Sequence, residues 1–521
     1  MRLKVLAAIA KCYLMLMFDE YKPLIDEASG RVYELARKTE LDFAPQLSES
    51  LNNRIWLKRE DRQAVFSYKI RGAYNMMASL SATQREAGVI AASAGNHAQG
   101  VALAAQHLSL AATIVMPKTT PEIKVSSVRR LGAHVVLHGN NYDDAMLHAL
   151  ELANNQDLVY IPPYDHPLII AGQATIAVEL LAQHAGPDLV FAPVGGGGLV
   201  SGLAVHMKRL KPEIKIIAVE PDEAACLHAA MRAGERVELE HIGIFADGAA
   251  VKQVGEENFR ICRDLVDDVL TVSVDEICAA VKDIFEDTRA IPEPAGALAL
   301  AGLKQYVQDQ AISGQEIVAI FSGANVNFDR LRHIAELAAL GEQREALLCI
   351  SIPERPGSFR QLCHDLGPRA ITEFNYRYSD HSNAQVFVGI RLRHGVVEKH
   401  ELLENLREKS YEVLDMSDNE VAKMHIRYMV GGSSSELSDE LLYRFEFPER
   451  AGALLYFLTT MSDRWNISLF HYRNHGAAYG RVLLGIQVPK DQRPEFQTFL
   501  NGLGMVYSAE TQNQAYVSFL M

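Results

Sequence analysis

Four consecutive glycines, Gly195 to Gly198, follow the apolar run Leu189–Pro193 and precede the helical pattern Leu199–Leu210. A glycine run in that position predicts a strand, a tight loop of exposed backbone N–H groups and a helix start. That arrangement holds a phosphate through hydrogen bonds and the helix dipole. The same alternation recurs on both sides. Val89–Ala92 is a candidate strand before a turn containing Gly95 and the helical stretch Ala98–His107. Ala112–Met116 is another strand, closed by Pro117; Val125–Leu131 is helical, and His134–Leu137 and Ile214–Glu220 are extended. Strand, helix and strand at this spacing predict βαβ units and a mainly parallel sheet over about residues 54 to 330. Ligands in such sheets bind at the carboxyl ends of the strands, so the loops after the strands are where chemistry is expected. Dinucleotide sites use similar loops. Here the GxGxxG spacing with a ribose-binding acid is not compelling, because Glu220 is the only obvious acid at the next strand end.

Beyond about residue 340 the pattern changes, and an internal repeat appears. Pro353-Glu354-Arg355-Pro356-Gly357-Ser358-Phe359 corresponds to Pro448-Glu449-Arg450-Ala451-Gly452-Ala453-Leu454, with Arg355 and Arg450 95 residues apart. Phe374–Arg377 corresponds to Phe470–Arg473, and Val386–Ile390 to Val482–Ile486, each at a spacing of 96. Each copy reads strand, glycine turn, helix, strand, strand: a small α+β module. Between them Gly431-Gly432-Ser433-Ser434-Ser435 has the composition of a flexible linker. The expected organisation is a region of two subdomains over 1–340, modules over 345–428 and 440–515, and a linker over 429–439. A length of 521 residues agrees with roughly two to four domains.

A net charge of −14 argues against a nucleic-acid binder, which needs clustered Lys and Arg. The six cysteines form no CxxC pair and no zinc-like spacing with histidine, so no metal is expected, and their scatter fits a reducing compartment. Met1 to Phe18 is basic and then apolar, but Lys11 interrupts the run and no small-x-small cleavage site follows. The stretch is too broken for a membrane span. A cytoplasmic protein without a membrane partner is expected, with Met15 or Met17 as alternative start residues.

Four motifs lie in or beside the predicted loops: Ser67-Tyr68-Lys69-Ile70-Arg71-Gly72-Ala73, Ser93–Gly100, Gly195–Leu199 and Phe321-Ser322-Gly323-Ala324-Asn325. Singly each has a plain explanation. A lysine beside an aromatic is usually a surface lysine with a packed stem. Ser93–Gly100 is accounted for by a tight turn with an Asn cap, and a Ser-Gly pair by a turn.

Together with Lys58-Arg59-Glu60-Asp61 and Glu293-Pro294-Ala295-Gly296-Ala297, these motifs resemble the fold-type II pyridoxal-phosphate enzymes, and within them the threonine/serine dehydratases. All occur in that family's order and approximate spacing. The duplicated tail resembles paired ACT-like regulatory domains, a combination similar to the biosynthetic threonine dehydratase family. The resemblance implies an α/β catalytic region of the tryptophan synthase β-like kind with parallel sheets, followed by two α+β ACT-like domains. It implies a lyase that converts L-threonine, and secondarily L-serine, to a 2-oxoacid and ammonia with pyridoxal 5'-phosphate as cofactor. Lys69 would carry the cofactor and act as the base on Cα, beside Tyr68. Asn96 would bond the ring's 3'-oxygen, Gly195, Gly196, Gly197, Gly198 and Leu199 would hold the phosphate, and Ser322 would face the pyridine nitrogen. A serine there, in place of a carboxylate, suits elimination better than transamination.

The substrate carboxylate is expected near Ser93, Ala94, Asn96 and His97, where a helix start offers N–H donors; a plain helix-surface histidine is an equal reading of His97. Arg355, Gly357, Phe359, Arg450, Gly452 and Leu454 mark the duplicated turns as an effector region, with the backbone of the turns favoured over the arginine side chains. End-product logic implies isoleucine as inhibitor. Differences between the copies imply unequal pockets, with valine as an opposing activator, and the family resemblance implies a homotetramer. Tyr68 where Phe is common and Ala295 where Ser is common are the two departures from the family pattern. A β-replacement enzyme such as a cysteine synthase, a serine racemase, a catabolic dehydratase and a non-catalytic amino-acid sensor are the competing readings. The long duplicated tail disfavours the first three, and the intact lysine, glycine loop and Ser322 disfavour the last.

Overall fold

In the computed structural model the apolar runs and helical patterns of the first 328 residues become two sheets. The structure describes residues 2–341, 344–353, 358–367, 369, 371–377, 383–426, 439–448, 457, 460–461, 464–473 and 479–519. The chain divides into two units, Met1–Phe328 and Asp329–Met521, so the helix Arg330–Gly341 belongs to the second. The first unit contains β1 (Leu41–Phe43), β2 (Arg54–Arg59), β3 (Val89–Ala92), β4 (Ala112–Met116), β5 (His134–Leu137), β6 (Val159–Tyr160), β7 (Leu189–Pro193), β8 (Lys215–Pro221), β9 (Asp268–Val272) and β10 (Glu316–Phe321). The smaller sheet has the order β5-β4-β3-β6 and is parallel throughout. The larger has the order β1-β2-β10-β7-β8-β9, with only the edge strand β1 antiparallel. β7 is buried at every residue, which explains why its sequence is a continuous apolar run rather than an alternation.

Local chemistry sets the helix starts. The helix Asn96–Leu108 is preceded by Gly95, with no side-chain cap, so Asn96 is the first helical residue and its amide is not used as a cap. Gly197, at φ +95°, stands before the helix Gly198–Leu210 in a backbone conformation that a side chain would strain. Three helices then meet through glycines. A Cβ on Gly172, in the helix Pro167–Gln183, would lie 2.6 Å from the Cα of Gly72, in the helix Lys69–Ala78. A Cβ on Gly202 would lie 2.7 Å from the carbonyl of Ile170.

The apolar N-terminal stretch belongs to a helix, Arg2–Arg31. Met17, Tyr21, Ile25 and Ala28 line one buried face of it, at the spacing of an amphipathic helix packed on a core. Tyr21 donates a 2.6 Å hydrogen bond to Glu257. Among the described residues no helix is long and apolar enough to cross a membrane.

The second unit carries the repeat as structure. β11 (Glu345–Pro353), β12 (Ile371–Arg377), β13 (Asn383–Arg391) and β14 (Glu412–Asp415) form an antiparallel sheet in the order β12-β13-β11-β14. β15 (Glu440–Pro448), β16 (Asn466–Arg473), β17 (Tyr479–Gln487) and β18 (Val506–Ala509) form a second, β16-β17-β15-β18. Even the irregularity is copied: the pairing slips between Ile371 and Glu373 in one sheet and between Ile467 and Leu469 in the other. Each module also has a helix before its last strand, Gly395–Glu408 and Arg493–Gly502, so it extends beyond the strand, turn, helix, strand, strand legible in the sequence. Alternate residues of β11, Ala346, Leu348, Ile350 and Ile352, point into the first core; Tyr443, Phe445 and Phe447 of β15 point into the second. Arg355, Gly357, Arg450, Gly452, Leu454 and the Gly/Ser linker lie outside the described residues, as does the side chain of Phe359.

Candidate active site

Loops at the carboxyl ends of β2, β3, β7 and β10 converge. The backbone N–H of Tyr68 donates to the carbonyl of Ser322 (3.2 Å), and Ala324 N–H to Phe66 (2.9 Å), which joins the β10 loop to the segment carrying Lys69. Lys69 opens its helix, partly buried, with Nζ donating to the Pro163 carbonyl at 2.9 Å and standing 5.3 Å from the centre of the Tyr68 ring. Burial pushes its ammonium down to about 8, against the opposing pull of the Glu293 carboxylate. A useful share of free amine at neutral pH is what a nucleophilic or basic lysine requires.

Asn96 lies in a hydrogen-bonded chain. Its Nδ2 donates to Glu293 Oε1 at 2.5 Å, and its Oδ1 accepts from Asn325 Nδ2 at 2.7 Å. Asn325 Nδ2 also donates to the Val65 carbonyl at 2.8 Å. Both ends of the chain are acceptors, so the orientation of each amide is dictated. Ser93 Oγ accepts from Gly95 N–H at 3.2 Å, and Ser93 and Ala94 are partly buried beside the helix start. His97 is neither exposed nor directed at the cleft through both nitrogens: it is 3% exposed, and Nε2–H donates to the Ile161 carbonyl at 2.9 Å. Burial, with Lys69 nearby, holds its pKa down to about 3, so the ring stays neutral. The helix-surface reading of His97 is therefore replaced by a core one. Ser322 is 4% exposed, and its hydroxyl makes one long contact, 3.4 Å, to the Ala295 carbonyl.

The glycine loop is held from behind. The Gly196 carbonyl accepts from Gly255 N–H (3.1 Å) and Asn258 Nδ2 (2.8 Å). A Cβ on Gly196 would lie 2.2 Å from the Tyr164 ring, so only glycine fits there. Among the described residues, the N–H groups of Gly195, Gly196 and Gly197 have no protein partner. Glu220 is committed elsewhere: its carboxylate accepts from the N–H groups of Leu227 and His228, both at 2.8 Å, which removes it as a ribose-binding acid.

Behind Lys69 lies a cluster of four buried charges. Arg71 bonds Glu60 and Glu179, both at 2.7 Å, and Lys58 bonds Glu179 at 2.5 Å; all four are 5% exposed or less. Tyr33 and Thr39 complete the set with hydrogen bonds to Glu179 and Glu60. The sequence motifs contain Lys58, Glu60 and Arg71 but give no sign of Glu179, over a hundred positions away. Glu293 and Asn325 also stood in motifs without a role. The segment Pro163-Tyr164-Asp165 carried one signal, a turn-like Pro-Pro pair ahead of an Asp-His-Pro helix start.

Residues 32–323 match the family described as pyridoxal-phosphate dependent enzymes, and residues 336–426 and 431–520 match the C-terminal regulatory domain of threonine dehydratase. The biosynthetic L-threonine dehydratase of Pasteurella multocida is 53% identical over 95% of this chain and 96% of its own length. That of Escherichia coli K12 is 54% identical over 94% and 95%. The chain belongs to the threonine dehydratase family. The processed form of threonine deaminase isoform 2 from Solanum lycopersicum has a similar structure, with a TM-score of 0.60 and 48% identity over 61% of this chain and 94% of that one.

Threonine dehydratases of this family are pyridoxal-phosphate enzymes, and the residues present fit the cofactor. Three unpartnered N–H groups lie in a glycine cradle that a side chain would fill, and a partly desolvated lysine stands close to it. Capture of pyridoxal phosphate by the cofactor-free dehydratase is therefore expected to accelerate about tenfold per pH unit below about 8 and to level off above it, as the amine loses its proton. Stopped-flow absorbance reads this directly. A profile that is flat from about pH 6.5 to 9, or one that rises until 10.5, the ordinary lysine value, contradicts the assignment of Lys69.

Proposed function

We propose that this protein is a biosynthetic L-threonine dehydratase, with L-serine as a secondary substrate, controlled by isoleucine through its C-terminal modules. The observation that carries the reaction is the partly desolvated Lys69 amine bonded to Pro163, next to Tyr164, which packs on the loop bearing the unpartnered N–H groups of Gly195, Gly196 and Gly197. Bound pyridoxal phosphate supplies the electron-withdrawing ring that makes the substrate Cα–H acidic. Lys69 would anchor the cofactor, and its amine is the base for the Cα proton. The loop Gly195–Leu199 would hold the phosphate, Asn96, an amide held by Glu293 and Asn325, would meet the ring oxygen, and Ser322 would face the ring nitrogen. The N-terminus of the helix Asn96–Leu108, with Ser93 and Ala94, receives the substrate carboxylate. His97 lies buried at the start of this helix with Nε2–H bonded to the Ile161 carbonyl, and burial keeps its ring neutral. The Cα proton and the β-hydroxyl together leave as one water, and hydrolysis returns one water as ammonia is released, giving 2-oxobutanoate.

This product is the first committed precursor of isoleucine, so isoleucine is the inhibitor and valine the opposing activator. The family resemblance supports a homotetramer in the cytoplasm. The test is 2-oxoacid formation from L-threonine by the full chain, with and without isoleucine. A chain ended at Phe328, the last residue of the first unit, is expected to keep dehydratase activity and lose isoleucine inhibition. Equal inhibition of the shortened and full chains overturns the regulatory reading.

A further inference from the structure

Four consecutive residues after β6, Pro163 to His166, each hold a different part of the first unit. The Pro163 carbonyl accepts from Lys69 Nζ at 2.9 Å. Tyr164 lies against the glycine loop: its ring blocks a Cβ on Gly196 at 2.2 Å, and its carbonyl blocks one on Gly198 at 2.9 Å. The Asp165 carboxylate accepts from the N–H groups of Glu256 (2.8 Å), Glu257 (3.1 Å) and Asn258 (3.4 Å), the first turn of the helix Glu256–Leu265. His166 Nδ1 accepts from Leu168 N–H at 3.1 Å and caps the helix Pro167–Gln183.

Asp165 acts as an N-cap supplied from a segment about ninety residues away, since the helix has only Gly255 at its own cap position. What it caps matters. Asn258 and Gly255, at the start of that helix, are the two residues that grip the Gly196 carbonyl. The Gly196 carbonyl is committed to Asn258 and Gly255 as donors, so its lone pairs are not left to repel a phosphate at the loop's N–H groups.

We propose that Pro163–His166 is a strap that sets the phosphate loop and the lysine amine in one frame, and that Asp165 is its positioning residue. The proposal rests on the reading of Gly195–Leu199 as the phosphate site. Asp165 touches neither cofactor nor substrate; it acts through Asn258 and Gly255 on Gly196, and along the strap on Pro163.

The test compares release of pyridoxal phosphate and of pyridoxal, which lacks the phosphate, from the loaded full-length protein. In Asp165→Ala, release of pyridoxal phosphate is expected to quicken about fivefold to tenfold, the size of one lost cap. Release of pyridoxal should change by less than about twofold on the same scale. Asn258→Ala removes the grip on Gly196 directly and should reproduce the split, and it decides the matter if Asp165→Ala does not fold. Unchanged pyridoxal phosphate release in the folded variants overturns the strap. So does equal acceleration of both ligands, because that is the signature of general loosening. If the unaltered protein releases the two ligands equally fast, it is the phosphate-site reading that fails.

Discussion

Replacing Lys69 with alanine is expected to cut threonine turnover about a thousandfold or more, because one substitution removes both the proposed covalent anchor and the proposed base. Borohydride treatment of the loaded wild-type protein should fix the cofactor to the peptide containing Lys69, and the variant should retain no such link. The cofactor-free variant should melt no lower than wild type. A partly buried ammonium costs desolvation, which is the first cause of its depressed pKa, and alanine at the first turn of a helix costs nothing comparable. Loss of activity with unchanged or improved melting separates chemistry from folding. A reduced cofactor mapped to another lysine sinks the assignment.

The second large effect is on stability. Glu179→Ala leaves Lys58 and Arg71 buried with Glu60 as the only remaining carboxylate of the cluster. Removing one partner from a buried ion pair costs about 3–5 kcal/mol. That corresponds to a fall in melting temperature on the order of 5 °C or more for a unit of this size. Burial alone would raise the Glu179 pKa, but Arg71 and Lys58 outweigh it and hold the carboxyl below its ordinary range. A depressed folded pKa means that the stabilisation is present above the unfolded value and lost as pH falls through the folded one. The gap between wild type and variant should therefore hold from neutrality down to about pH 4 and close below it. Thermal melting at several pH values checks both magnitude and direction. A variant that melts with wild type at pH 7 removes the cluster from the list of what holds the Lys69 helix.

Much of this architecture is legible in the sequence because it depends on short-range patterns. β3, β4, β5 and β7 fall on the expected residues, since each is an apolar run bounded by glycine, proline or polar residues. The duplication is legible because motif spacing survives where composition drifts: the second core uses Phe445, Phe457, Trp465, Phe496 and Phe499 where the first uses aliphatic side chains. The last helix and strand of each module escaped notice, because four-residue strands such as Glu412–Asp415 have no period long enough to recognise. Contacts that depend on distant partners were not legible either. Nothing local marks Glu179 as the partner of Arg71, or Asp165 as the cap of a helix that begins at Glu256. Charged residues look solvated in a sequence until the fold supplies their counterions. The surface alternative for His97 fails for the same reason, because the Ile161 carbonyl that bonds it comes from another strand end.

The glycine junctions between the three central helices make the catalytic unit behave like a gauge block. The helix that begins at Lys69 and the helix that begins at Gly198 both rest on the helix Pro167–Gln183 at glycines: Gly172 meets the main chain of Gly72, Gly202 meets the Ile170 carbonyl, and the Gln173 side chain also packs on Gly72. The separation between the two helix starts is therefore set largely by the thickness of polypeptide backbone, which has no rotamers to change. Side chains beside the helix starts can be exchanged without resetting that length, so the spacing of the frame and the side chains it carries are separable properties of this fold.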